Sequence, residues 1–248
     1  MIYDLVRYQL DEKSSLRREN VLLVSLGCSY GKCTFCDYQD DKSPSVIACD
    51  TVNKKVLEQV QGRTVNSSVL DVTCSASYTE LPFTTMNYIR EKCVEKGIKT
   101  VILEGHYIYR EANKYYRDFF NEKGIAVMFR CGVETFDESI REGILRKGLP
   151  GVTPEAIAGY YDWINLMYGM DCQTITRLKE DIDTGLKYFK RINLSIYTTV
   201  KNGPGRNESA IKDFYESSFY KELKENPAID IFDEWDENNG HNVGHDIY

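Results

Sequence analysis

The sequence predicts an α/β fold, an open partial (β/α)6 barrel of parallel strands with outer helices, on three observations. Short apolar runs alternate with stretches of helical period between Val21 and Leu223, the pattern of parallel strands joined by helical crossovers. Six strand–helix alternations can be read this way, short of the eight that close a barrel. The chemistry-bearing residues cluster just after the apolar runs, where parallel α/β sheets hold their ligands.

A chain of 248 residues has the length of one large α/β domain. That domain is expected over 1–225, with its core at 21–200, followed by an acidic, Asn- and Gly-rich tail over 226–248 that covers the mouth or frays. Apolar residues make up 42% and charged residues 28%, ordinary for a globular protein. The first twenty residues carry charges throughout and no signal-peptide core, and no run reaches the ~20 apolar residues that span a bilayer. A cytoplasmic location without a membrane partner is expected. The net charge of −7 argues against a tRNA partner, because gripping nucleic-acid phosphates calls for a basic patch. Eight cysteines in that compartment point to metal or redox chemistry before disulfides.

In chain order, Val21–Leu26 is the first buried strand. Asp50 or Thr51 caps a helix to about Gly62, with Val52, Val56, Leu57 and Val60 on one face. Val69–Thr73 is the second strand, and Pro82 opens a helix that Gly97 stops. Thr100–Leu103 is the third strand, followed by a Tyr-rich helix from about Ile108 to Lys123 that Gly124 stops. Tyr115, Tyr116 and, further on, Tyr188 read as helix packing. Ala126–Cys131 is the fourth strand. Thr135–Lys147 is a helix with Asp137 and Glu138 in its first turn, favoured by the helix dipole. Pro154 opens a short helix, Ile164–Tyr168 is the fifth strand, Thr174–Lys190 a helix and Ile192–Thr198 the sixth strand. Asn202–Asn207 is a loop before a last helix, about Glu208–Leu223. His241 and His245, at i,i+4 spacing between glycines, read as tail rather than as a metal site.

The first of these strands runs into L-G-C-S-Y-G-K-C-T-F-C-D-Y, which brings Cys28, Cys33 and Cys36 onto one loop. Three thiolates so spaced make a metal site rather than a staple, and they leave a cubane iron–sulfur cluster one iron short of a protein ligand. C-x4-C-x2-C is also the spacing of plant-type [2Fe–2S] ferredoxins, which need a fourth cysteine; Cys49 or Cys74 is available for that role. Structural zinc is the third reading, and it too requires a fourth ligand. The remaining cysteines read as buried thiols.

This loop, with Phe35 before the last cysteine and Tyr38 after it, resembles the cluster loop of the radical S-adenosylmethionine (SAM) superfamily. It departs from the usual pattern by one extra residue between the first two cysteines. Ser75-Ala76-Ser77 is similar to the segment that receives the amino group of SAM. The run from Arg130 to Asp137, with the later Arg146-Lys147-Gly148, resembles the fourth-strand segment whose acid, here Glu134, reaches the ribose, and Tyr168-Gly169, with Gln173-Thr174, resembles the segment beside the adenine. The likeness runs from about Val21 to Thr198. It implies a [4Fe-4S] cluster on Cys28, Cys33 and Cys36, with Phe35, Tyr38, Ser75, Ala76, Ser77, Arg130, Glu134 and Gly169 around SAM. It further implies a reducing partner such as flavodoxin or ferredoxin, and a lyase whose 5′-deoxyadenosyl radical takes a hydrogen atom from whatever lies nearest.

The small size, acidic balance and phrasing of the loop resemble the queuine-salvage lyases of that superfamily, which implies queuosine 5′-phosphate as substrate and the base queuine as product. A radical enzyme acting on tRNA or another nucleoside, and an iron–sulfur electron carrier, are the alternatives. The N–H edge and ammonium of such a base favour carboxylates, for which Glu104, Asp171 and Asp230 are candidates. His106 is a candidate proton donor, so His106, Glu104 and Asp171 form the expected catalytic set. Gly205 and Arg206 lie in a loop before a helix that suits a 5′-phosphate.

Overall fold

The structure, a computed structural model, describes residues 6–232, with the backbone alone at Gln39. Its chain divides into two compact units, one of residues up to Gly31 with Tyr38–Phe129, the other of Lys32–Asp37 with the chain from Arg130 onward.

In the first unit, β1 (Tyr8–Asp11), β2 (Arg18–Leu23), β3 (Val69–Cys74) and β4 (Thr100–Gly105) pair in that order. β2, β3 and β4 are parallel, as the crossover pattern requires. β1 is an addition: it pairs antiparallel with β2, Tyr8 opposite Val21. Its four residues carry no apolar run, so no strand was expected there. Arg18, fully buried, anchors this edge through Asp11 at 3.3 Å and Asp71 at 3.4 Å. β2 begins three residues earlier than Val21 and ends at Leu23, because the pairing register, rather than the apolar run, sets its limits.

Helices α1 (Val46–Leu57), α2 (Phe83–Lys96) and α3 (Ala112–Asn121) cross between these strands or follow them. α1 starts earlier than Asp50: the Ser45 hydroxyl accepts from Ala48 N at 3.2 Å, an N-cap of the usual kind. Asn53 on α1 brackets Val24, its Oδ1 accepting from Val24 N and its Nδ2 donating to Val24 O, both at 2.8 Å. This fixes the chain where it leaves β2 toward the cysteines. Gly97 ends α2 at φ 73°, the left-handed conformation that favours glycine at this position. The Tyr-rich helix is shorter than expected, since Tyr107–Tyr109 forms a separate 3-10 turn. Tyr115 and Tyr116 do pack, edge to face with each other and with Phe119 nearby.

β5 (Ala126–Glu134) starts in the first unit and continues into the second, where β6 (Trp163–Tyr168), β7 (Arg191–Ile196) and β8 (Ile229–Phe232) follow it in parallel order. β5 extends three residues beyond Cys131 with an irregularity between Gly132 and Glu134. β8 corrects the reading of everything after Asn226 as tail: Asp230 pairs with Asn193 and Ile229 is buried. Residues 233–248, His241 and His245 among them, lie outside the described residues. α4 (Glu138–Gly143), α5 (Pro154–Ala158), α6 (Ile175–Tyr188), α7 (Glu208–Glu216) and α8 (Ser218–Glu225) complete the unit. The single last helix expected from the sequence is two, since Ser217, extended at ψ 157°, ends α7 and caps α8.

α6 covers one face of this sheet. A Cβ on its Gly185 would meet Ile192 Cδ1 at 2.6 Å and Ile164 Cδ1 at 3.2 Å, so Ile164 and Ile192 point to the helix. By alternation, Asn165 and Asn193 point to the other face. The α/β class is the one expected, with parallel strands and helical crossovers in both units.

Candidate functional site

In the first unit the site grows from the exit of β2. Ser75 is fully buried, and its hydroxyl accepts from Ser25 N at 2.9 Å. Gly27, at φ 114°, turns the chain into the cysteine loop. Gly31 N donates to Cys28 Sγ at 3.4 Å.

One residue organises the loops here that sequence reasoning left out. The Glu80 carboxylate accepts from Ser29 N, from Ser77 N at 3.1 Å and from Tyr109 OH at 2.9 Å. It thereby ties the residue after Cys28 to the segment after β3. Its signal was present in Ser77-x-x-Glu80, a capping box, which is formed. Ser77 Oγ also accepts from His106 N at 2.9 Å, so the hydroxyls of Ser75 and Ser77 serve the fold, and half-buried Ala76 stands between them. His106 is buried and stacks on Tyr30, ring centroids 4.6 Å apart. Its Nδ1 accepts from Ile108 N at 3.2 Å, so the neutral ring carries its proton on Nε2. Glu104 is half-buried near the end of β4, and Tyr38 begins a 3-10 turn after the cysteine loop.

Cys49 and Cys74, the candidates for a fourth cysteine ligand, are both buried. Cys49 Sγ donates to Val24 O at 2.8 Å and Cys74 Sγ to Ala76 O at 3.2 Å. Burial pushes the Cys49 thiol up to about 11 and Cys74 higher still. Neither is poised as a thiolate ligand.

In the second unit, Cys33 and Cys36 are half-buried and outside any disulfide. Thr34 between them is clamped: its N donates to Leu145 O at 3.1 Å and its hydroxyl to Ile144 O at 2.8 Å. Phe35 packs on Ile140, Leu145, Met170 and Tyr197, with Met167 and Cys172 alongside. Lys147 Nζ stands 5.2 Å from the Phe35 ring centroid and 2.8 Å from Glu134 Oε1. Burial opposes its charge, but Glu134, with Cys33 and Cys131, outweighs burial and holds the ammonium above its ordinary range. Glu134 adopts φ 69°, a conformation that non-glycine residues rarely take. A Cβ on Gly132 would come within 2.7 Å of Glu134 Oε1 and 2.9 Å of Lys147 Nζ, so glycine there makes room for the pair. The sequence likeness already grouped Lys147 with the run that holds Glu134, and the fold adds their ion pair and the room that Gly132 leaves for it.

Arg130 lies over the Trp163 ring at 5.5 Å. Gly169, at φ 113°, sits where a Cβ would press on Ile211. Asp171 is exposed, and its backbone N donates to Gly205 O at 2.9 Å. Arg206 Nε donates to Tyr197 O at 2.7 Å and its Nη1 pairs with Glu208, so this guanidinium braces the loop. Asp230 is buried and pairs with Arg191 at 2.8 Å.

Among the described residues, no three His, Cys, Asp or Glu side chains converge as they would on a single metal ion. Cysteines that each take a separate corner of a cubane need no such convergence. The half-buried thiols of Cys28, Cys33 and Cys36 are of the donor type that a cluster with an open corner takes.

No protein-family model and no curated protein matches the chain. Among solved structures, the queuine lyase from Clostridium spiroforme bound to SAM and queuine is similar to it, with a TM-score of 0.86 and 33% identity over 97% of this chain and 100% of that one. SuiB from Streptococcus suis has a TM-score of 0.54 at 15% identity, over 89% of this chain and 49% of its own, a likeness of fold alone.

Proposed function

The chain belongs to the queuine lyase family of radical SAM enzymes, and from that membership we propose that it cleaves queuosine 5′-phosphate to release queuine. One observation carries this reading: identity of 33% across the whole of a queuine lyase whose solved structure holds both SAM and queuine. When bound, the [4Fe-4S] cluster and SAM supply a radical able to take a hydrogen atom from the substrate. The rest falls to the chain, which must hold its ligands in register and keep competing hydrogen donors out.

Cys28, Cys33 and Cys36 hold the cluster. Glu80 and the clamp on Thr34 steady the loop on either side of Cys33. Ala76 and its backbone neighbours receive the amino end of SAM, Glu134 its ribose, and Gly169 leaves space beside the adenine. Arg130, seated over the Trp163 ring, belongs to the SAM-binding set. His106, with its proton on Nε2 and its ring braced by Tyr30, is the proton donor; Glu104 and Asp171 flank the substrate. Asp230, oriented by Arg191, accepts from the base. Arg206 is a loop brace. Both compact units serve one catalytic domain, in the cytoplasm, supplied with electrons by a flavodoxin or ferredoxin. Free thiols throughout the described chain support that compartment, and among the described residues no helix is long and apolar enough to cross a membrane. A mononucleotide is favoured over tRNA by the net charge of −7.

The test is to supply the anaerobically reconstituted protein with SAM, a reductant and either queuosine 5′-phosphate or queuosine-containing tRNA. Free queuine is expected from the nucleotide alone. Turnover on the tRNA with none on the nucleotide would replace this substrate by the polymer.

A further inference from the structure

β6 and β7 each carry the tripeptide Ile-Asn-Leu, at 164–166 and 192–194. The two asparagines are direct register partners, and Asn193 is in turn paired with Asp230 on β8. In both strands the isoleucines face α6 and the asparagines face away. The Oδ1 atoms of Asn165 and Asn193 are both buried, and neither has a hydrogen-bond partner. An unanswered buried carbonyl is destabilising, and here two stand side by side on neighbouring strands. A leucine at either position would fill the same space without that penalty.

The surroundings say what would answer them. Two residues before the asparagines, and so on the same face, Trp163 lies under Arg191, 5.1 Å from ring to guanidinium, and under Arg130. This closes one end of the row. At the other end, Met167, on the same face by alternation, packs against the cluster of Ile140, Leu145, Met170 and Tyr197, against which Phe35 of the cysteine loop also packs. Met167 is two residues beyond Asn165, about 7 Å at the rise of a strand. The asparagines thus stand within a nucleoside's length of the loop segment that carries Cys33 and Cys36. The two unanswered amide oxygens stand beside the Asp230 carboxylate, and such acceptors favour a ligand edge that carries N–H donors.

We propose that Asn165 and Asn193 are specificity-determining residues that read the N–H donor edge of the substrate's deazaguanine base with their side-chain oxygens. The proposal rests on the queuine-releasing function above and names the part of the site that recognises the base. A planar base lying along the row satisfies both oxygens at once, and bases that present acceptors there leave them unanswered, the arrangement that discriminates most strongly between ligands.

The experiment is calorimetric titration of queuine into the wild type, Asn165→Leu, Asn193→Leu and Asn193→Asp, with SAM titration and thermal unfolding alongside. Each leucine variant is expected to bind queuine about tenfold or more weakly, to bind SAM within about twofold of the wild type, and to unfold at an unchanged or higher temperature. Asn193→Asp, which keeps an acceptor, recovers part of the affinity. Queuine binding within about twofold of the wild type in both leucine variants overturns the proposal, as does a fall in unfolding temperature that tracks the loss of binding, which would make the oxygens structural. A wild type that neither binds queuine nor releases it from queuosine 5′-phosphate overturns the function and this assignment together; a wild type that does both, with variants that bind equally well, overturns the assignment alone.

Discussion

At the scale of single residues, the loops around the site depend on one carboxylate that holds backbone rather than ligand. Glu80 answers two N–H groups and a phenol. Glu80→Gln keeps the shape but turns part of that acceptor into a donor, leaving at least one N–H unanswered, at about 1–3 kcal/mol. The expected outcome is a lower unfolding temperature and less iron retained after reconstitution, both checked on the purified variant. Asp181 shows the opposite physics. It accepts from Thr135 Oγ1 and Phe136 N, both at 2.7 Å, yet burial dominates these bonds and pushes its carboxyl up to about 6. A folded pKa above the unfolded one near 3.8 means that the native state holds its proton longer. Its contribution to stability is therefore full below pH 4 and is lost as pH rises toward about 6. Chemical denaturation across that range should show the wild type losing stability relative to Asp181→Asn, and a constant difference above it.

At the scale of elements, the strand ends decide where chemistry can occur. β5 ends in a bulge that places Glu134 at φ 69°, and Gly132 gives it room beside Lys147. Gly132→Ala drives a methyl into the ion pair. A buried pair separated from its partner is strongly destabilising, at about 3–5 kcal/mol, and the pair is expected to shift rather than break. The variant should fold, with SAM affinity reduced about tenfold, which equilibrium titration of SAM measures. Strands and helices bounded by strong local signals were legible in the sequence: β3, β4 and β6 from their apolar runs, and the end of α2 from Gly97. β1 and β8 were not, because four residues without a sustained apolar run become strands only when β2 and β7 offer an edge. The start of α1 was missed because Ser45 caps a turn that precedes the apolar face.

At the scale of the whole molecule, the cysteine loop was legible because three thiols within nine residues have few uses other than a metal centre. The likeness across 97% of the chain bears out the family that this loop suggested. What the sequence did not disclose are contacts that only folding creates. Lys147 returns to Glu134, and Asn165 meets Asn193 across two strands that are 28 positions apart in register. Arg206 and Asp230 were chosen for their chemistry, and the fold gives each an internal partner.

The most direct measurement is the release of queuine from queuosine 5′-phosphate by reconstituted wild type and Cys33→Ala, each with and without SAM and reductant. The account predicts release by the wild type only when both are present, accompanied by 5′-deoxyadenosine, and none by Cys33→Ala. Release that persists in Cys33→Ala, or that proceeds without SAM, contradicts it.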